Sequence, residues 1–159
     1  MDKSLGSENA VEDGKVVDVF CEFVVRKDGE GYDVRKWNDV NYIEYSDQTF
    51  FMRCTPPEGG PIESLEFRGG PLKSYTSYPI SGETQEGQIQ THFVLPEFAA
   101  GSYSDPEGEF SVRLITGEGL GSWFIGDFKF SLVFYAPDGK EVKYSIESLV
   151  FQVQVNHVA

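Results

Sequence analysis

Basic residues are scarce in this sequence. The 159-residue chain has 13 lysines and arginines against 26 aspartates and glutamates, and its formal net charge is −13. Proteins that bind nucleic acid normally carry a basic patch, because much of their affinity comes from neutralising phosphates. The nearest approach to such a cluster is a pair of adjacent basic residues, as at Arg35-Lys36. The charge balance therefore argues against a nucleic-acid partner and permits a cationic protein partner.

Long apolar runs are also missing. No stretch approaches the ~20 apolar residues of a membrane span, so we expect no membrane insertion. Residues 1–14 are polar and lack the apolar core of a secretory leader. We expect either a cytoplasmic protein or a secreted or anchored one whose leader is absent from this sequence. Residues 1–14 are predicted to be a flexible lead-in to a single domain over residues 15–159.

Metal-binding and redox motifs are absent as well. The sequence contains two cysteines and two histidines, and none has the spacing of a structural zinc site. We therefore expect no metal and no cofactor. Cys21 and Cys54 lie on separate predicted strands and would form a disulfide if those strands face each other. The alternative is that both are small apolar residues of the core.

Catalytic motifs are not found in their required context. A serine or cysteine nucleophile needs a base within hydrogen-bond reach, and neither His92 nor His157 has a credible partner nearby in the sequence. No nucleophile elbow or phosphate-binding loop appears. We expect a protein that is not an enzyme.

Aromatic residues and turn formers are abundant. Thirteen Phe and eight Tyr favour strands, and 17 Gly and eight Pro supply turns. Apolar residues alternate over residues 16–26, 89–95, 110–114 and 128–134, and no segment keeps a 3.6-residue period. The pattern predicts an all-β domain of about nine strands. The expected fold is a two-sheet antiparallel β-sandwich, immunoglobulin-like or jelly-roll-like.

Two local features stand out near the C-terminus. Residues 136–140 read Ala-Pro-Asp-Gly-Lys and predict a hairpin turn. After that turn, apolar residues hold even positions up to Ile146 and odd positions from Leu149 onward. A strand keeps its faces only while this phase holds. We therefore predict a bulge, bend or break near Glu147-Ser148, and either two strands or one sharply bent strand.

Three carboxylates at alternate positions, Asp105, Glu107 and Glu109, are candidate ligands for a calcium ion. Calcium takes six to eight oxygen ligands, usually from a tightly specified loop, and no such loop pattern surrounds these residues. The sequence Asp-Pro-Glu-Gly over residues 105–108 instead favours a plain β-turn.

With nucleic-acid binding and catalysis disfavoured, binding of another molecule is the function that remains for this sequence. Aromatic side chains in or beside predicted loops are the candidate binding residues, because they combine an apolar body with a polar tip; they are Tyr75, Tyr78, Tyr103 and Trp123. The loop over residues 72–87 is the best candidate surface. We predict a non-catalytic binding module that contacts a protein partner through loops or an edge strand. The alternatives are a glycan-binding module and a carrier of an apolar ligand between the sheets.

Overall fold

A computed structural model describes residues 9–12, 15–18, 20–28, 31–37, 40–45, 49–56, 63–83, 85–117 and 120–156. Thirteen strands and one short 3-10 helix lie within these ranges. In chain order the elements are β1 (Asn9–Glu12), β2 (Lys15–Asp18), β3 (Phe20–Lys27), β4 (Gly31–Trp37), β5 (Val40–Tyr45), β6 (Phe50–Cys54), β7 (Ser64–Gly69), β8 (Thr76–Ser81), β9 (Ile89–Val94), the 3-10 helix (Pro96–Ala100), β10 (Ser102–Tyr103), β11 (Glu107–Thr116), β12 (Trp123–Tyr135) and β13 (Glu141–Gln154).

Eleven of these strands belong to one sheet, and β1 and β2 form a separate antiparallel pair. The order across the large sheet is β4-β3-β13-β12-β11-β8-β9-β7-β6-β5, and β10 also pairs with β12. All its pairings are antiparallel except that of β8 with β9, where Ile80 lies opposite Ile89. The all-β prediction is confirmed. The predicted sandwich is not what the described strands form, since one mixed sheet curls into a half-barrel.

The curl brings the far end of the sheet back to β13. The amide N–H of Ile43 in β5 donates to Oδ1 of Asn156 at 2.8 Å, and the amide N–H of Asn156 donates to the carbonyl of Ile43 at 3.0 Å. Register shifts in the pairings of β11, β12 and β13 mark bulges along the middle of the sheet. Bulges increase the local twist of a strand, which helps a sheet to bend back on itself.

Phenylalanine rings fill the concave side. Phe67 lies at the centre, with its ring centroid 4.9 Å from Phe110, 4.8 Å from Phe128 and 6.3 Å from Phe130. The rings come from β7, β11 and β12, so the curl lets distant strands share one core. Such pairs stabilise a core by about 0.5–1.5 kcal/mol each beyond their buried area.

The last hairpin follows the sequence closely. The N–H of Gly139 donates to the carbonyl of Ala136 at 3.0 Å, and Gly139 has a φ of +89° that suits glycine. The predicted hairpin turn over residues 136–140 is confirmed. The predicted irregularity near Glu147 is also confirmed, since the pairing with β3 shifts between Glu147 and Val150. The segment is one bulged strand that stays in its sheet.

The chain does not turn at residues 105–108, in contrast to the prediction. Tyr103 in β10 and Glu107 in β11 both pair with β12. Between them the N–H of Ser104 donates to the carbonyl of Val133 at 2.8 Å. Pro106 has no N–H to donate, so it interrupts the ladder while the chain continues along the same neighbour.

Two segments were predicted to lack regular structure, and each contains a strand. Within the expected lead-in, Asn9–Glu12 forms strand β1 and pairs with β2; residues 1–8, 13 and 14 lie outside the described residues. Within the candidate loop over residues 72–87, Thr76–Ser81 forms strand β8 between β11 and β9. The part of that segment before Thr76 is a turn.

Candidate functional site

Tyr75 projects from the turn that leads into β8. The residue is 83% exposed, the largest exposed fraction among the large apolar and aromatic residues that the structure describes. Its backbone has a φ of +60°. That conformation is an outlier for a bulky residue and costs roughly 1–2 kcal/mol. Strain of this kind persists only where the surroundings enforce it, and it is concentrated at functional sites.

Three hydrogen bonds hold the residues just before Tyr75 in place. The carbonyl of Leu72 accepts from the Tyr45 hydroxyl at 3.1 Å, the N–H of Lys73 donates to the Tyr78 hydroxyl at 2.8 Å, and Oγ of Ser74 accepts from the N–H of Ile115 at 3.0 Å. The side chain of Leu72 is buried. The turn is therefore fixed to three different parts of the sheet, and we call residues 72–76 the Tyr75 turn.

Tyr78 and Trp123 pack into the scaffold of the domain. Tyr78 packs partly buried against the core, and its hydroxyl serves the Tyr75 turn. Trp123 is 7% exposed and is the first residue of β12. These two side chains support the scaffold, whereas the side chain of Tyr75 is available to a partner.

Tyr103 belongs to an aromatic cap at one end of the half-barrel. Phe98 in the 3-10 helix stacks on Phe134 at 5.2 Å and meets the edge of Tyr144 at 5.2 Å. Tyr103 covers Phe98 from outside at 5.1 Å and keeps 38% of its surface exposed. The hydroxyl of Tyr144 donates to Oε2 of Glu97 at 3.0 Å. Tyr103 therefore closes the core and still presents part of its ring.

The three candidate calcium ligands are all exposed. Glu107 and Glu109 lie opposite Ser131 and Lys129 of β12, while the carboxylate of Asp105 lies over the backbone of Gly82, where an added Cβ would be 2.5 Å from Oδ1. Asp105 and Glu107 line an open polar pocket of about 460 Å³ with Gln85 and Gln88. Within the described residues, no three His, Cys, Asp or Glu side chains come together as a metal site.

The thiols of Cys21 and Cys54 meet inside the half-barrel. Both side chains are fully buried and unbridged. A hydrogen bond with Cys21, together with burial, raises the pKa of the Cys54 thiol well above its usual value. Both predicted alternatives, a disulfide and a pair of apolar core residues, therefore apply to two side chains that lie next to each other.

An outer-face cluster on β6 and β7 was not among the sequence predictions. Nε of Arg53 lies 2.9 Å from Oε2 of Glu66, and the guanidinium of Arg68 lies 4.7 Å from the ring centre of Phe51. The opposite register positions Phe51↔Arg68 and Arg53↔Glu66 produce these contacts. In the sequence these residues are only alternate positions of two short segments, and the pairing of β6 with β7 is what brings them together.

His92 lies on the outer face of β9, exposed, at the register position opposite Glu66. His157 lies outside the described residues. β4 has a single strand neighbour, β3, among the described strands, so it is an edge of the large sheet.

Comparisons with protein-family models, with curated proteins and with solved structures gave no match to this chain. Among the residues that the structure describes, no helix is long and apolar enough to span a membrane.

Proposed function

We propose that this protein is a non-catalytic binding module and that the Tyr75 turn makes its main contact with a protein partner. Tyrosine is enriched at interface positions where one side chain contributes much of the affinity. The observation that carries the proposal is the exposed side chain of Tyr75 on a backbone with positive φ. An exposed aromatic residue in a strained conformation weakens the folded state, so its presence there is best explained by recognition.

The rigidity of the turn supports the same proposal. Hydrogen bonds with Tyr45, Tyr78 and Ile115 fix the residues beside Tyr75 before any partner arrives. A contact residue that is already fixed loses less conformational entropy on binding, and this improves affinity. The Tyr75 turn therefore has the properties of a preorganised anchor.

Contact through loops is favoured over strand addition. Among the described strands, β4 is an open edge of the large sheet, and its sequence is Gly-Tyr-Asp-Val-Arg-Lys-Trp. Charged residues on an edge strand oppose pairing with another chain, and β4 carries Asp33, Arg35 and Lys36. We therefore assign the contact to the Tyr75 turn.

The two alternatives have less support. A carrier of apolar ligands needs a cavity of roughly 300 Å³ or more, whereas phenylalanine rings at 4.8–6.3 Å occupy the concave interior around Phe67. A glycan site needs exposed aromatic rings beside polar groups. Tyr103 beside the polar pocket at Asp105 is the place that comes nearest to that requirement.

A photo-crosslinking residue, p-benzoylphenylalanine, placed at position 75 tests the proposal. We expect irradiation in extract of the native source to give a protein adduct that mass spectrometry identifies. The matched control carries the same residue at position 120, where Leu120 is 62% exposed, and should not give that adduct. A glycan or lipid partner would give no protein adduct from position 75.

The variant Tyr75→Asn separates binding from folding. Asparagine tolerates positive φ better than tyrosine, so we expect the free energy of unfolding to stay level or rise by up to about 1 kcal/mol. Affinity for the crosslinked partner should fall at least about 10-fold, as for an interface anchor. Tyr135→Asn removes another exposed tyrosine and should leave affinity unchanged. Undiminished binding by Tyr75→Asn would refute the proposal.

A further inference from the structure

Cys21 and Cys54 come from opposite parts of the large sheet. Cys21 is on β3 and Cys54 is on β6, and six strands separate β3 from β6 in the order of the sheet. Both side chains point into the concave interior, where each has no exposed surface. Cys21 is nevertheless close enough to Cys54 to raise the pKa of its thiol, through a hydrogen bond between the two side chains. The contact therefore exists because the sheet curls, and it spans the half-barrel.

The neighbouring register explains why the curl brings these two residues together. Cys21 lies opposite Phe151 of β13, and Cys54 lies opposite Val40 of β5. The end of β13 is joined to β5 by the paired hydrogen bonds between Ile43 and Asn156. The two cysteines are thus each one strand away from the place where the sheet meets itself.

We propose that Cys21 and Cys54 form a disulfide when the protein folds in an oxidising compartment, and that this bond fastens the curled sheet across its interior. The proposal is independent of the function assigned to Tyr75. Disulfides connect side chains that are already adjacent in the folded chain. Here the adjacent thiols are 33 residues apart in sequence, so the bond would close a sizeable loop and restrict the unfolded chain.

The reaction is thiol–disulfide exchange with a small disulfide such as oxidised glutathione. One protein thiolate attacks the glutathione disulfide, forms a mixed disulfide and releases one glutathione thiolate. The second protein thiolate then attacks the sulfur of the first cysteine and releases the other glutathione. The two protein thiols lose two protons and two electrons in total, and oxidised glutathione takes them up to become two thiols.

Burial decides when the bond can form. The thiolate is the attacking species, and the raised pKa of Cys54 keeps its thiol protonated in the folded chain. Neither sulfur is exposed to a reagent. Oxidation therefore occurs during folding or while the curl is open. Once the half-barrel has formed, it shields the two sulfur atoms, whether they are thiols or a disulfide.

The test is to refold the reduced, unfolded protein in a glutathione redox buffer and to alkylate it in denaturant without reductant. We expect no alkylated cysteine and a mass lower by two hydrogens than that of the reduced chain. Tryptic digestion should give one linked product of residues 16–26 and 54–68. Two alkylated thiols after oxidative refolding would overturn the proposal.

Thermal unfolding tests whether the bond stabilises the curl. The oxidised protein should melt about 5–15 °C above the reduced protein, and reductant in the unfolding buffer should abolish the difference. Cys54→Ala is the control, because its melting temperature should be the same with and without reductant. Equal melting temperatures for the oxidised and reduced wild-type protein would contradict the proposed role, and this comparison needs no variant to fold.

Discussion

Tyr75, Tyr78 and Trp123 share one sequence signal, an aromatic residue in or beside a predicted loop, and the structure gives them three different environments. Tyr75 is exposed, Tyr78 hydrogen-bonds to the turn, and Trp123 is buried at the start of a strand. Sequence can identify such residues as candidates. Their exposure depends on which strands pass beside them, and that is set by contacts far along the chain.

Three buried hydroxyl groups in the described part of the chain have no hydrogen-bond partner, and they belong to Thr91, Ser122 and Ser148. Thr91 is the clearest case, because it faces the core from β9 between Ile89 and Phe93. A buried hydroxyl without a partner loses its hydrogen bonds with water on folding, at a cost of about 1–3 kcal/mol.

Thr91→Val should therefore stabilise the protein. Valine has nearly the same shape and brings no unsatisfied oxygen, so we expect the free energy of unfolding to rise by about 1 kcal/mol. Urea denaturation followed by circular dichroism would measure the change. Thr76→Val is the matched control: the Thr76 hydroxyl donates to the carbonyl of Ser74 at 3.1 Å, so this variant should be destabilised. A loss of stability in Thr91→Val would show that its hydroxyl has a partner.

Among the elements, β13 is the one whose irregularity the local sequence pattern predicts. The phase change of its apolar residues predicted an irregularity near Glu147, and the structure has one extra residue there relative to both neighbouring strands. Leu149 lies in this bulge and is 77% exposed. Because the bulge reverses the alternation, both Ile146 and Phe151 can face the core.

Deleting Leu149 should leave a folded protein. The deletion removes the extra residue, and the residues on either side then alternate without interruption, with Ile146 and Phe151 still facing inward. The main loss is the hydrogen bond from Nη2 of Arg113 to the Leu149 carbonyl, 3.0 Å long in the wild-type chain. We expect the free energy of unfolding to fall by about 1–3 kcal/mol, as measured by thermal unfolding.

Deleting Ser145 is the matched control in the same strand. Ser145 lies in a regular part of the ladder, opposite Ser131 and Arg26. Its loss would put one side of β13 out of phase with both neighbours and turn apolar side chains outward. That variant should not fold. If the two deletions had equal effects, the bulge would not be the device that sets the phase of β13.

Other elements show where local pattern fails. β8 has the sequence Thr-Ser-Tyr-Pro-Ile-Ser, and Ile80 is its one buried residue. Its strand character comes from pairing with β11 and, over two residues, in parallel with β9. At Asp105-Pro106 the error is the opposite one: the local sequence predicts a turn, but the chain continues alongside β12.

At the scale of the whole molecule, alternation predicted the all-β class but not the way the strands join. Alternating residues specify one inward face for each strand, and two facing sheets satisfy that condition as well as one curled sheet does. The difference lies in the pairings of β8 with β11 and with β9, which join two groups of strands into one sheet. The return of β5 to Asn156 brings the strands that carry Cys21 and Cys54 together, which the spacing of the two cysteines could not decide.

Two-dimensional nuclear Overhauser spectroscopy of the isotope-labelled protein tests the curl most directly. The half-barrel predicts cross-peaks between the backbone of Ile43 in β5 and that of Asn156 after β13, together with cross-peaks between β5 and β6. If the β5–β6 and β12–β13 cross-peaks are present but Ile43 and Asn156 show none to each other, the sheet does not return on itself, and the half-barrel is wrong.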